Sequence, residues 1–372
     1  MSLPVPQRID LVLIGTRGQV GSALRHRLAR QAARLREAAG IDLRLLATFD
    51  RRGIAWDLAG LDPDDVDARL APRDTVALRS LLGHLTRAGD TPTVVIDCTA
   101  SDEIADRYAE WLAAGHGVVA ANKRANARGL AQWRTLQALS VRHGAPYRYE
   151  TTVGAAIPIL GPLRDIGLRG ERVRRVSGVL SGSLSYLLER LHAGEAFSDA
   201  LGGAERLGYT EPDPGEDLRA DDLARKLLVL AREAGFALEP AGIRVEPFIA
   251  SAQAEPGNWR ARLADEDALW RGRIAQARSL GRRWVMLAEA DAAGARISLQ
   301  ALPEDSPFAA LPAGQNLVRV ETELQAERPL WLGGPGAGPE VTAAGVLSDV
   351  IDAARTLAAA APAGRGWRRA AA

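Results

Sequence analysis

Lys123 and Lys226 are the two lysines among 47 basic residues; every other cation in the chain is arginine. A surface or salt-bridge cation tolerates that exchange. A step needing a compact amine that can release a proton does not, because a guanidinium stays protonated. The two lysines are therefore the first candidates for acid–base chemistry. Each lies in a dense polar motif, Ala121-Asn122-Lys123-Arg124-Ala125 and Asp221-Asp222-Leu223-Ala224-Arg225-Lys226. Asp222 and Lys226 are one helical turn apart and share a face. Upstream runs an acidic stretch stiffened by prolines, Gly208-Tyr209-Thr210-Glu211-Pro212-Asp213-Pro214-Gly215-Glu216-Asp217. A solvated loop beside an ordinary helix ion pair is the plain reading. An amine flanked by carboxylates also suits a general acid/base, and spare carboxylates suit a substrate ammonium.

A second set of residues suits a phosphate-bearing ligand. Gly15-Thr16-Arg17-Gly18-Gln19-Val20-Gly21 follows an apolar run and opens a helical segment. Glycines let a backbone turn sharply and approach a pyrophosphate, and the following helix start supplies N–H groups and partial positive charge. The spacing G-x-x-G-x-x-G is one residue longer than the usual dinucleotide turn. Gly15, Arg17, Gly18, Val20 and Gly21 are the candidate cofactor residues of this turn. The second strand ends at Asp50-Arg51-Arg52. An acid there bonds a ribose 2′-OH and favours NAD; an arginine accepts the 2′-phosphate of NADP. Both types are present, so both cofactors stay open. Thr99, after the third strand, suits the nicotinamide ribose, and Lys123 follows the fourth. A glycine-rich segment, Leu332-Gly333-Gly334-Pro335-Gly336-Ala337-Gly338, reads as a turn opening a small-residue helix. It suits close approach to a cofactor at Gly336, or tight packing.

These groups need a frame. Strands over 9–15, 43–50, 93–99 and 117–121 alternate with helices, and the helix after the third strand is capped by Ser101 and runs from about 103 to 114. Such alternation predicts a doubly wound parallel sheet. The 55–75 stretch reads as polar and Asp-rich. Beyond 150 the pattern changes: strands near 173–180, 297–302 and 316–323 mix with helices at 183–191 and 221–234, with helix then strand over 261–289. The predicted class is α/β: a Rossmann-type dinucleotide domain over 1–150, completed by a C-terminal helix over 338–360, plus an α+β catalytic and dimerisation domain over 151–337. Residues 361–372 read as a frayed tail.

Net charge is +1, which gives no electrostatic footprint for nucleic acid. One cysteine, Cys98, excludes a disulfide framework and a multi-thiolate metal site. The five histidines (His26, His84, His116, His143, His192) lack ligand spacing and read as surface or capping residues. No signal-like N-terminus or membrane-length apolar run is present, so the expected compartment is the cytoplasm.

Together the motifs resemble the homoserine dehydrogenase family, most closely the dehydrogenase half of bifunctional aspartokinase–homoserine dehydrogenases. The resemblance rests on Asp97-Cys98-Thr99, Asn122-Lys123, Glu150 to Pro158, Ser177 to Tyr186, Gly208 to Pro214, Asp222 to Lys226 and Gly336 to Gly345, in family order across nearly the whole chain. It implies NAD(P)-dependent interconversion of aspartate 4-semialdehyde and homoserine. By this resemblance Lys226 is the proton donor and Lys123 lies near nicotinamide and substrate. Glu211 and Asp222 bind substrate, Asp217 helps, and Gly208 lines the pocket. Glu150, Val153, Ala155 and Ile157 hold a monovalent cation such as Na⁺, and the protein is a homodimer. Two departures stand out: the lengthened glycine turn, and Ala121 where the family pattern has proline, which implies a slightly looser turn. Two rivals remain. A semialdehyde dehydrogenase would need Cys98 as nucleophile, and a dinucleotide-sensing regulator would have no use for Lys226 with Asp222.

Overall fold

A run of five buried residues without polar alternation, Asp10 aside, makes the first strand a central one: Ile9, Leu11, Val12, Leu13 and Ile14 are all enclosed. The computed structural model describes residues 6–72, 91–210, 213–254 and 258–360. Residues 361–372, read above as a tail, lie outside that range, as do His84 and Glu211. The described residues fall into two compact units. The first draws on residues 6–72, 91–125, 131–149 and 342–360, the second on 126–130, 150–210, 213–254 and 258–341.

The first unit carries strands β1 (Gln7–Ile14), β2 (Ile41–Phe49), β3 (Gly53–Trp56), β4 (Ala71–Pro72), β5 (Thr93–Asp97), β6 (Gly117–Ala120) and β7 (Tyr147–Arg148). They form a sheet in the order β4-β3-β2-β1-β5-β6-β7. β1 pairs in parallel with β2 and β5, and β6 continues the parallel run between β5 and β7. β3, at the start of the stretch read as polar and Asp-rich, and β4, within it, add an antiparallel edge. Strands this short offer too few residues for a periodicity to register. The helix Gln19–Ala39 stops at Gly40 in the left-handed conformation, φ 62°. The helix Pro339–Ala360 puts Val346, Val350 and Leu357 into the same core as Leu11, Ile96 and Val119. That shared burial is why a segment so late in sequence belongs to the first unit.

Because β1 is flanked by β2 on one side and β5 on the other, the chain order reverses at its carboxyl end. Ligands of open α/β sheets bind at such a point. The helix predicted over 103–114 is two short ones, Asp102–Ala105 and Tyr108–Ala113. Ser101 caps the first as expected, accepting from the Ile104 N–H. The break lets Tyr108 and Trp111 both bury completely.

The second unit carries β8 (Val173–Val179), β9 (Ile243–Val245), β10 (Arg282–Asp291), β11 (Gly294–Pro303), β12 (Gln315–Thr322) and β13 (Leu330–Pro335). Their order is β13-β12-β8-β10-β11-β9. The segment read as a glycine-rich turn is therefore mostly an edge strand, paired antiparallel to β12. Edge position and close packing, with Gly333 lying against Leu317, explain why glycines serve there. The helix Asp221–Glu233 buries Leu223, Leu227 and Leu230. This apolar stripe fixes which way its polar face, with Asp222 and Lys226, must turn. No helix among the described residues is long and apolar enough to cross a membrane.

Two histidines depart from the surface reading. His116 is buried. His192 is half-buried, and its Nε2 accepts from the Trp284 N–H at 2.9 Å. Burial, then the positive Arg283 and Arg278, hold its pKa down at about 4 against the ordinary 6.5. The native state thus keeps the ring neutral while the unfolded chain protonates first. Its contribution is complete above pH 6.5 and is lost as pH falls toward about 4. We expect the melting temperature to drop between pH 7 and pH 5 and His192→Gln to flatten that slope; parallel melting curves for the two proteins would reject it.

Candidate active site

The glycine turn is closed by its own backbone. The Gly18 N–H donates to the Gly15 carbonyl at 3.0 Å, and Gly15 has φ +87°. A Cβ at Gly21 would sit 2.2 Å from the Gly15 carbonyl oxygen, so the helix can start this close to the strand only with glycine there. The helix Gln19–Ala39 begins without a side-chain cap or an acid in its first turn. Its first N–H groups are thus kept for another acceptor, which suits a pyrophosphate. Thr16 is buried, and its Oγ1 has no hydrogen-bond partner. Val20 packs on the apolar core behind the turn.

A cavity of about 650 Å³ opens at the carboxyl ends of β1, β2 and β5. It gathers Gly15, Arg17 and Gly18 from the first, Asp50, Arg51 and Arg52 from the second, and Thr99 from the third. These are the cofactor residues expected from the sequence, and their donor set fits a dinucleotide. Val20, Gly21 and Lys123 do not line it. Gly336 belongs to the second unit, where a Cβ would meet Asn316 at 2.2 Å. Packing on Asn316 is reason enough for glycine at that position. Arg17 and Asp50 form a two-pronged ion pair, Nε to Oδ2 and Nη2 to Oδ1, both 2.5 Å. The Arg17 guanidinium holds the Asp50 carboxyl at about 2.

Behind the cavity lies a network whose role no sequence motif discloses. Asp97, the last residue of β5, is fully buried. Its Oδ2 accepts from the Tyr108 hydroxyl at 2.6 Å and the Asn122 amide at 2.9 Å, and its Oδ1 from the Thr99 N–H at 2.8 Å. The Asn122 Oδ1 in turn accepts from the Arg124 N–H at 3.0 Å. One carboxylate thus ties the Thr99 turn to the turn carrying Lys123. An acid closing the apolar run Thr93-Val94-Val95-Ile96-Asp97 was the available signal, since a buried acid must be matched by donors. Ala121 belongs to the same arrangement. Its N–H donates to the Asp97 carbonyl at 2.9 Å, a bond proline could not make. The expected loosening at Ala121 is thus answered by an added hydrogen bond. Burial, with Asp97 beside it, pushes the Cys98 thiol well above its usual range. A thiol held protonated is a poor nucleophile, which counts against thioester chemistry.

The acid–base half lies in the second unit. Ala220, in the left-handed conformation with φ 60°, starts the helix Asp221–Glu233. One turn along, the Lys226 Nζ stands 3.0 Å from Asp222 Oδ2 and donates to the Leu180 carbonyl at 2.8 Å. The lysine side chain is 12% exposed. Asp217 is held differently: its Oδ1 accepts from the Ser183 hydroxyl at 2.7 Å, and Ser183 contacts Ser181 at 3.1 Å. Leu180, Ser181 and Ser183 were visible only as part of a motif, without a role. Gly208 sits in an exposed turn with φ +69°, and backbone conformation alone demands glycine there.

Glu150 caps the helix Leu160–Leu168. Its Oε2 accepts from the Gly161 N–H at 2.8 Å, and its Oε1 from the Ile159 and Leu160 N–H groups. Gly154 and Ala155 reverse the chain with φ 80° and 53°. Among the described residues, no backbone hydrogen bond ends on the carbonyl oxygens of Val153, Ala155 or Ile157. Carbonyl oxygens without a backbone donor are the ligand type a hard cation takes. No cluster of three or more His, Cys, Asp or Glu suited to a metal occurs among the described residues.

Comparison with known proteins gives a consistent result. A family model described as homoserine dehydrogenase matches residues 158–351, and one described as homoserine dehydrogenase, NAD binding domain, matches 17–150. Homoserine dehydrogenase of Saccharomyces cerevisiae is 32% identical over 362 residues, covering 94% of this chain and 99% of the yeast protein. The bifunctional aspartokinase/homoserine dehydrogenase 1 of Zea mays is 35% identical over 344 residues. There the match takes in 90% of this chain but spans only 37% of the maize protein. A crystal structure of a Candida auris protein of unknown function superposes with a TM-score of 0.84 at 30% identity, covering 94% of this chain and 99% of that one. A hyperthermophilic archaeal homoserine dehydrogenase in complex with NADPH has a TM-score of 0.73 at 23% identity, a likeness of fold.

Proposed function

Because this chain belongs to the homoserine dehydrogenase family, we propose that it interconverts L-aspartate 4-semialdehyde and L-homoserine with NADP or NAD, a step toward threonine and methionine. The observation that carries the reading is Lys226, held by Asp222 and the Leu180 carbonyl in a chain with only one other lysine, Lys123. When bound, the nicotinamide supplies or accepts the hydride. In the reductive direction Lys226 gives a proton to the substrate oxygen as it becomes a hydroxyl; in the oxidative direction the neutral amine takes that proton back. Asp222 and the Leu180 carbonyl hold the amine at one position. Asp222, Glu211 and Asp217 offer negative charge to the substrate ammonium, with Gly208 lining that end. Lys123, on the turn pinned by Asn122, adds a second amine for nicotinamide and substrate.

The nucleotide is assigned to residues 1–150 with the helix over 338–360, and the substrate to 151–337. Gly15, Arg17, Gly18, Val20, Gly21, Asp50, Arg51, Arg52 and Thr99 serve the dinucleotide, with Gly336 a further contact. Glu150 and the carbonyls of Val153, Ala155 and Ile157 take a monovalent cation such as Na⁺, which would stiffen the loop leading to the helix Leu160–Leu168. The protein acts as a cytoplasmic homodimer that pairs through the sheet of its second domain. The test is direct. Purified protein mixed with L-homoserine and either NADP⁺ or NAD⁺ should generate the absorbance of reduced nicotinamide. Absence of that signal with both cofactors would refute the reading.

A further inference from the structure

We propose that the Arg17–Asp50 pair makes the mouth of the first unit's cavity a 2′-phosphate site, so that NADP is preferred over NAD. The inference rests on the dinucleotide reading above and adds the discriminating residues.

The acid at the end of β2 is the group that would select NAD, by accepting from ribose hydroxyls. Here its oxygens are already engaged. Oδ1 accepts from Arg17 Nη2 at 2.5 Å, the Arg52 N–H at 2.8 Å and the Gly53 N–H at 3.1 Å. Oδ2 accepts from Arg17 Nε at 2.5 Å. A ribose diol would have to displace a charge-assisted, two-pronged bond, the strong kind. The pair is also stable to titration, since Asp50 is held near 2 and stays ionised across the working range. Arg17 neutralises Asp50, one of the two acids on this lining that would repel a phosphate dianion, and its guanidinium has N–H donors left over. Arg51 and Arg52 stand exposed on the same lining. Glu103 is the remaining acid there, set against these cations.

The long glycine turn now has a use. In G-x-x-G-x-x-G the added residue places a long side chain at the turn's apex, and it is Arg17 that reaches Asp50. A tighter turn lacks that position, so the acid would stay open to a ribose. Selection here comes from masking an acid, with the arginines adding attraction.

Calorimetric titration of the full chain tests this without turnover. NADP⁺ should bind at least roughly tenfold tighter than NAD⁺, the worth of about one charge-assisted hydrogen bond. Adenosine 2′,5′-bisphosphate should exceed AMP by a similar ratio. Arg17→Ala exposes Asp50, and the NADP⁺/NAD⁺ ratio should fall by roughly 10- to 100-fold. Asp50→Asn should keep the NADP⁺ preference. NADP⁺ affinity should also fall more steeply with added salt than NAD⁺ affinity, a readout independent of any variant. Equal or tighter NAD⁺ binding, an unchanged ratio in Arg17→Ala, or parallel salt slopes would each overturn the proposal while leaving the dehydrogenase reading standing. If neither dinucleotide nor either fragment binds, the dinucleotide reading itself falls and this inference with it.

Discussion

Lys226→Arg should lose roughly 10²–10⁴ in kcat, the usual worth of general acid/base catalysis. The substitution keeps the charge, so any role limited to attracting the substrate would survive it. It removes a group that can surrender a proton, because guanidinium stays protonated. The geometry sharpens the case. Nζ is engaged by Asp222 at 3.0 Å and by the Leu180 carbonyl at 2.8 Å. An ammonium has one more N–H than these two bonds use, and that one is available to a substrate oxygen. A planar guanidinium, bulkier than an ammonium, cannot repeat this arrangement within the same space. We expect KM for homoserine to move far less than kcat, since binding draws on Asp222, Glu211 and Asp217 as well. Steady-state kinetics at saturating cofactor reads both numbers. In Lys226→Ala, added methylamine should restore part of the rate. A Lys226→Arg protein turning over near the wild-type rate would remove this residue from the mechanism.

Asp97→Ala should show the largest loss of stability, on the order of 3 kcal/mol or more. It strands the Tyr108 hydroxyl, the Thr99 N–H and one N–H of the Asn122 amide, whose nitrogen keeps its bond to the Ser101 carbonyl, and each buried group left unsatisfied costs roughly 1–3 kcal/mol. Some of that is recovered if water enters the vacated space. Tyr108→Phe, which removes one donor and leaves the rest, should cost only about 1 kcal/mol. Function should follow stability, because Thr99 and the Asn122-Lys123 turn are anchored by the same carboxylate. KM for the dinucleotide should therefore rise in the alanine variant even where the protein remains folded. Urea denaturation gives the first quantity and cofactor titration the second. Coincident unfolding curves for Asp97→Ala and wild type would mean that the network is ornamental.

Legibility followed length and local rules. The strand β1, the long amphipathic helix Asp221–Glu233 and the Ser101 cap could be read directly, because each expresses its period or capping chemistry within a few residues. β4, β7 and β9 could not, since two or three residues carry no period, whereas the four of β6 were legible as an uninterrupted apolar run. β13 was obscured for a different reason. Its glycines signal a turn locally, and the partner that makes the segment a strand, β12, is visible only once the sheet is assembled. The same distinction holds at the site. Asp222 and Lys226 are neighbours by helix geometry, whereas the Leu180 carbonyl reaches Lys226 from 46 residues away.

By itself the sequence determined which groups are chemically singular: two amines in a field of guanidinium, a glycine turn before a helix, and an acid-rich run before Asp222. Those are properties of residue type and short spacing, and folding does not alter them. Tertiary structure decided which of these groups are engaged and by what. It closed Asp50 with Arg17, turned Asp97 into an anchor for two turns, and set the Ser183 hydroxyl on Asp217. The reason is that hydrogen-bond partners are chosen by distance and burial in three dimensions, and a linear chain encodes those only through the complete packing of its sheets and helices.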